Sequence, residues 1–150
     1  SLDKNQAKLT LVAVPDKPGV AARILKAIGD ANVNVDMIVQ NISHGSGKPA
    51  TDLSFTVDKP DLLKAQKVID GLKPEIGFGQ VIATDKIAKL SIVGVGMKSH
   101  TGVAGKMFDT LAREGVNIDM ISTSEIKISV VVELAKGESA MKAVHAAFLG

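Results

Sequence analysis

The chain has 150 residues, 45% of them apolar and 23% charged, and a net charge of +2, values typical of a globular protein with a core. It has no cysteine, hence no disulfide and no thiolate metal site, and this absence fits a cytoplasmic location. No apolar run approaches a membrane span and no signal-peptide pattern is visible; dispersed lysines and four phenylalanines as the only aromatics argue against nucleic acid as a partner.

In chain order, Lys8–Val14 is a β-branched run that stops at Pro15, which reads as a strand entering a turn. Gly19 to about Ala31 carries Val20, Ile24, Leu25 and Ile28 on one helical face, and Asn32 suits the helix end. Val33, Val35, Met37 and Val39 alternate as in a half-buried strand. His44–Pro49 reads as a loop, and Leu53, Phe55 and Val57 alternate again. Pro60 sits near the start of a second helix, where a missing N–H costs little; that helix shows Leu62, Leu63, Val68, Ile69 and Leu72. Gln80–Thr84 reads as a fourth strand.

The same order then returns. Lys89–Val95 is a strand, and Val103, Met107, Phe108 and Leu111 form a helical stripe closed by Gly115. Asn117–Thr123 is a strand, Ile126, Ile128, Val130 and Val132 alternate on another, and Ala140, Met141, Val144 and Phe148 mark a last helix. The likeness is literal. Lys8-Leu9-Thr10-Leu11-Val12-Ala13-Val14 becomes Lys89-Leu90-Ser91-Ile92-Val93-Gly94-Val95, and Val33-Asn34-Val35-Asp36-Met37-Ile38 becomes Val116-Asn117-Ile118-Asp119-Met120-Ile121. Such a period is too long for a solenoid unit and suggests two small modules.

The order β-α-β-β-α-β is that of the ferredoxin-like fold, an antiparallel sheet with two helices on one face. The fold class expected is therefore α+β, with two such modules. The second copy ends before a fourth strand. The segment Asp3-Lys4-Asn5-Gln6-Ala7 resembles Asp85-Lys86-Ile87-Ala88, which leaves the first module's fourth strand. The N-terminal segment is thus expected to complete the second sheet, close to where the sequence begins. The modules become 8–84, and 1–7 with 85–150.

The first candidate site is the turn Pro15–Ala21. Gly19 permits a tight turn, and a helix beginning there presents its first N–H groups and a partial positive charge to a carboxylate. Asp16 beside it could take an ammonium, so the pair suits a free amino acid; a turn-capping role for Asp16 stands beside that reading. The equivalent loop, Gly96–Gly102, has no acid at that place. Gly105-Lys106 is followed by Met107, which rules out a Walker A loop. His44, His100 and His145 lack metal-ligand spacing, and no nucleophile elbow appears. Asp36 and Asp119 are repeat equivalents and read as structural. Gln40, Asn41, Asn117 and Ser122–Glu125 offer polar side chains on otherwise apolar strands.

Asp16-Lys17-Pro18-Gly19, Asn34–Asn41, the segment from Val95 to Gly102 with Met97-Lys98-Ser99-His100, and Asn117–Glu125 with Ser122-Thr123-Ser124-Glu125 resemble the tandem ACT regulatory region of aspartate kinase. The resemblance spans essentially the whole chain. It implies an allosteric region sensing threonine and/or lysine for feedback inhibition, without catalytic residues, metal or cofactor of its own. The parent kinase, with its domain upstream, would use ATP and Mg. It further implies a homodimer through ACT modules. Carried onto this sequence, effector contacts fall on Asp16, Gly19, Val20, Ala21 and Gln40, with Asn117 and Ile118 facing them from the second module of another chain. Met97, Ser99, His100 and Thr101 form a second, effector-like loop that lacks the acid. The alternative is a stand-alone dimeric ACT sensor with no kinase.

Overall fold

The computed structural model describes residues 1–42, 50–94 and 100–149. Two compact units divide the chain: Gln6–Asp85, and Ser1–Asn5 together with Lys86–Gly150. Each is a ferredoxin-like module.

In the Gln6–Asp85 unit the elements are β1 (Leu2–Pro15), α1 (Val20–Asp30), β2 (Val35–Ile42), β3 (Ala50–Asp58), α2 (Leu62–Ile76) and the start of β4 (Val81–Val93). The strand order is β2-β3-β1-β4. Leu9, Leu11, Phe55 and Val57 of the sheet meet Ile24 and Ile28 of α1 and Ile69 and Leu72 of α2 in one core. The second unit uses β4, α3 (His100–Arg113), β5 (Met120–Thr123), β6 (Lys127–Glu133) and α4 (Gly137–Leu149), with strand order β1-β4-β6-β5. Its core joins Leu90, Ile128, Val130 and Val132 to Met107, Leu111, Ala140 and Val144.

The N-terminal segment does complete the second module. Ser1 exchanges two backbone bonds with Ser91, at 2.8 and 2.9 Å, which places the first residues of β1 beside β4. The expected strand at Lys8–Val14 is consequently the later part of one long strand that begins at Leu2. In the same way, the separate strands expected at Gln80–Thr84 and Lys89–Val95 are one strand, β4. Asp3–Gln6 and Asp85-Lys86 lie inside these two long strands.

Other boundaries shift for local reasons. Gly19 lies outside α1 as its N-cap, in the left-handed region at φ 88°. Asn32 takes φ 64° just after the helix, and Val33 leads into β2 rather than belonging to it. Pro60 lies in a short 3-10 turn, Lys59–Asp61, ahead of α2. Leu63, expected on the core stripe of α2, is 73% exposed, because Ala65, Ile69 and Leu72 define the face that packs. β5 begins at Met120 rather than Asn117, and Ile126 lies outside β6 and is exposed. β6 is buried on both faces from Ile128 to Val132, so alternation there is hidden. The loop expected at His44–Pro49 and the end of the strand at Val95 lie outside the described residues.

Two irregularities matter for the site, and both are in the first module. In β1 the register runs from Leu11 opposite Leu53 to Val14 opposite Thr51, so Val12 and Ala13 together oppose Asp52. In β2 it runs from Val35 opposite Val57 to Ile38 opposite Phe55, so Asp36 and Met37 oppose Thr56. Both are β-bulges. The ladders of β4 with β6 and β5 with β6 are continuous over their described pairs.

Candidate functional site

The site begins where β1 ends. Pro15 closes the strand, Lys17 N–H turns back to the Pro15 carbonyl at 3.0 Å, and Val20 N–H reaches the Lys17 carbonyl at 3.3 Å. Gly19 then enters the left-handed region, which costs a residue without a side chain little. Its carbonyl accepts the Arg23 N–H at 2.9 Å and starts α1. No side chain caps the helix, and no acid lies in its first turn. The leading N–H groups, at Ala21 and Ala22, therefore have no intrahelical acceptor and carry the positive end of the helix dipole.

A groove of about 370 Å³ lies against this turn, lined by Pro15, Lys17, Pro18, Gly19, Val20 and Arg23, with Glu75 and Ile76 from the end of α2. Arg23 and Glu75 close one side as a bidentate pair, Nε to Oε2 at 2.9 Å and the second nitrogen to Oε1 at 3.2 Å. The groove combines an apolar floor, a helix N-terminus, two cations and a carboxylate. Such a mixture suits a small zwitterion better than a large apolar ligand.

The expected residues distribute as follows. Gly19 and Val20 line the groove, and Ala21 follows in the first helical turn. Asp16 is exposed in the same turn but is not part of the groove wall. Gln40 lies on β2, exposed, outside the groove, and its Nε2 donates to Thr51 Oγ1 at 3.2 Å. Asn117 and Ile118 belong to the other unit, just before β5; Asn117 is exposed and Ile118 half-buried. Met97 and Ser99 lie outside the described residues. His100 and Thr101 open α3, and their side chains are not among those described. Sequence reasoning missed Arg23 and Glu75, which are 52 positions apart and whose pairing no local pattern announces.

The second unit has a larger groove, about 590 Å³, between Leu90–Val93 and Met141–Phe148. Its lining is mostly apolar, with Ser1, Ser91, Lys142 and His145 as its polar and charged members. Among the described residues no cluster of His, Asp or Glu could hold a metal, and no helix is long and apolar enough to cross a membrane.

The chain is thus a pair of small antiparallel α+β modules, one of them with an uncapped helix start beside a polar groove. Comparison with known proteins makes this specific. The ACT domain family model matches twice, over residues 9–71 and 90–148. Aspartate kinase of Pseudomonas fluorescens is 51% identical over 148 residues, 99% of this chain but 35% of that protein. This chain therefore spans about a third of the length of such relatives. Among solved structures, one of aspartokinase alpha and beta subunits superimposes with a TM-score of 0.91 at 47% identity, covering 100% of this chain and 97% of the other. The ligand-free regulatory subunit of aspartate kinase from Thermus thermophilus gives 0.90 at 40% identity, covering 99% and 95%. The chain belongs to the ACT-domain family and, within it, to the tandem-ACT regulatory regions of aspartate kinases.

Proposed function

We propose that this region senses an end-product amino acid, threonine and/or lysine, and transmits feedback inhibition to an aspartate kinase domain upstream, the part that would use ATP and Mg. The observation that carries this reading is the uncapped start of α1 beside the groove at Pro15–Arg23. The effector carboxylate is received by the N–H groups of the first turn, and Asp16 takes the ammonium. Gln40, with Asn117 and Ile118 of the partner subunit, contacts the effector side chain in a homodimer built through the ACT modules. Binding works by population shift: the effector favours one arrangement of modules, with a coupling of roughly 1–3 kcal/mol. The region itself performs no chemistry, and a cytoplasmic location follows from that role.

The test is calorimetric titration of threonine and of lysine into the wild-type chain and Asp16→Ala. A ligand at about 100 times its Kd stabilises the native state by roughly 2.7 kcal/mol, so a thermal shift reports the same event. Binding that is lost in Asp16→Ala supports the site; unchanged affinity removes Asp16 from it, and no response to either amino acid removes the functional reading.

A further inference from the structure

The bulge in β1 immediately precedes the groove, and it is held from both sides. On one side Val12 N–H donates to the Gln80 carbonyl at 2.9 Å, and the Val12 carbonyl accepts the Gly79 N–H at 2.8 Å. On the other, Ala13 N–H turns away from the backbone ladder and donates to Asp52 Oδ1 at 3.0 Å. Ala13 sits at φ 57°, a left-handed conformation that a residue with a side chain keeps only when its surroundings enforce it.

The second module shows what the same strand does without that carboxylate. Gly94 is the repeat equivalent of Ala13, and its N–H donates to the main-chain oxygen of Ile126 at 2.9 Å. Val93 pairs directly with Lys127, which occupies the place of Asp52, and the register is regular up to that pair. Lysine has no acceptor to offer. Near-identical strands thus diverge where an acceptor side chain is present in one and a donor in the other. The divergence falls two residues before Pro15, where the first module's groove begins.

We infer that Asp52 is a positioning residue for the effector site: by taking the Ala13 N–H it holds the bulge that aims Pro15–Gly19 at the groove. This deepens the proposed function and rests on it for the ligand, though not for the geometry. Asp52 need not touch the effector. A side-chain acceptor replaces a ladder bond, the extra residue bends the strand end, and the turn that presents the α1 amides takes its direction from there.

The experiment compares the wild-type chain with Asp52→Asn, which keeps an acceptor oxygen, and Asp52→Ala, which does not. Amide exchange at Ala13 and the backbone resonances of Lys17 and Gly19 report the geometry; titration with threonine and lysine reports binding. In Asp52→Ala the Ala13 amide loses protection, the Lys17 and Gly19 resonances move, and affinity falls roughly tenfold, the scale of one buried bond lost. Asp52→Asn retains all three. Wild-type affinity in Asp52→Ala, with the Ala13 amide exchanging freely, would overturn the inference. If the wild-type chain binds neither amino acid, the functional reading fails separately, and unmoved Lys17 and Gly19 resonances in Asp52→Ala then overturn the geometric claim. Should Asp52→Ala fail to fold, Asp52→Ala with Ala13→Gly removes the strain and the acceptor together; full affinity in that pair counts against Asp52.

Discussion

Thr56→Val is expected to destabilise the first module through one buried amide. Thr56 is 0% exposed and Met37 3% exposed, and the Thr56 Oγ1 accepts the Met37 N–H at 3.0 Å at the β2 bulge. Valine keeps the shape and removes the acceptor. A buried donor left without a partner costs about 1–3 kcal/mol. The methyl group that replaces the hydroxyl recovers up to about 0.8 kcal/mol through its apolar burial. The net loss is about 0.2–2 kcal/mol, and for a chain of this length that lowers Tm by up to about 8 °C. Thermal unfolding measures the loss, and amide exchange locates it: Met37 should lose protection in Thr56→Val and keep it in Thr56→Ser, which retains the hydroxyl. A wild-type Tm in Thr56→Val with the Met37 amide still protected would show that the bulge does not need its side-chain acceptor. The same reasoning applied to Asp52 would then lose its foundation.

Two further outcomes are expected. Gly19→Ala should lower stability by about 1–2 kcal/mol, since φ 88° is left-handed while the added Cβ meets nothing within 4 Å. Gly29→Ala, in the same helix and equally open, should raise stability by about 0.5–1 kcal/mol, so equal signs at the two positions in thermal unfolding would refute the backbone argument. Glu138 is held below its ordinary value by a hydrogen bond from Lys4 and by that ammonium's charge. A carboxyl with a lowered folded pKa contributes stability above its unfolded pKa and loses it as pH falls through the folded one. Wild-type and Glu138→Gln melting curves measured from neutral to acid should therefore converge below the usual glutamate range; a gap that persists in acid would contradict the pairing.

Much of this architecture was legible because the chain states it twice. Two periods of 3.6 between runs of alternating apolar residues specify α+β modules, and the repeat supplies the missing strand of the second by analogy with the first. What stayed hidden was tertiary. The N-terminal segment is expected to complete the second sheet; that Leu2–Pro15 and Val81–Val93 each run as one long strand is not. Val131 is buried as fully as Val130, so β6 lacks the alternation that marks a half-exposed strand. The turn at Gly19 was readable from its glycine, but Arg23 and Glu75 meet only once α1 and α2 are packed. The bulges were invisible for a different reason: the acceptors that face them, Asp52 and Thr56, lie on another strand.

That last point locates where the two copies part company. Their cores use the same positions, and their first strands differ by a single methyl group at two places, Thr10 against Ser91 and Ala13 against Gly94. On β3, however, Asp52 and Thr56 supply side-chain acceptors, whereas β6 carries Lys127 and Val131 at the paired positions. Where β3 takes the Met37 N–H with a hydroxyl, Val131 of β6 has none to offer; it pairs with Met120, and its carbonyl takes the Asp119 N–H at 2.8 Å. Each acceptor lies opposite the bulge in one flanking strand. The β1 bulge lies just before Pro15–Gly19, and the β2 bulge lies three residues before Gln40. Both strand ends that carry first-module effector candidates are therefore set by β3. Exchanging Asp52 and Thr56 for Lys and Val, their counterparts on β6, would remove both side-chain acceptors, and the Ala13 and Met37 N–H groups would then have to find other partners.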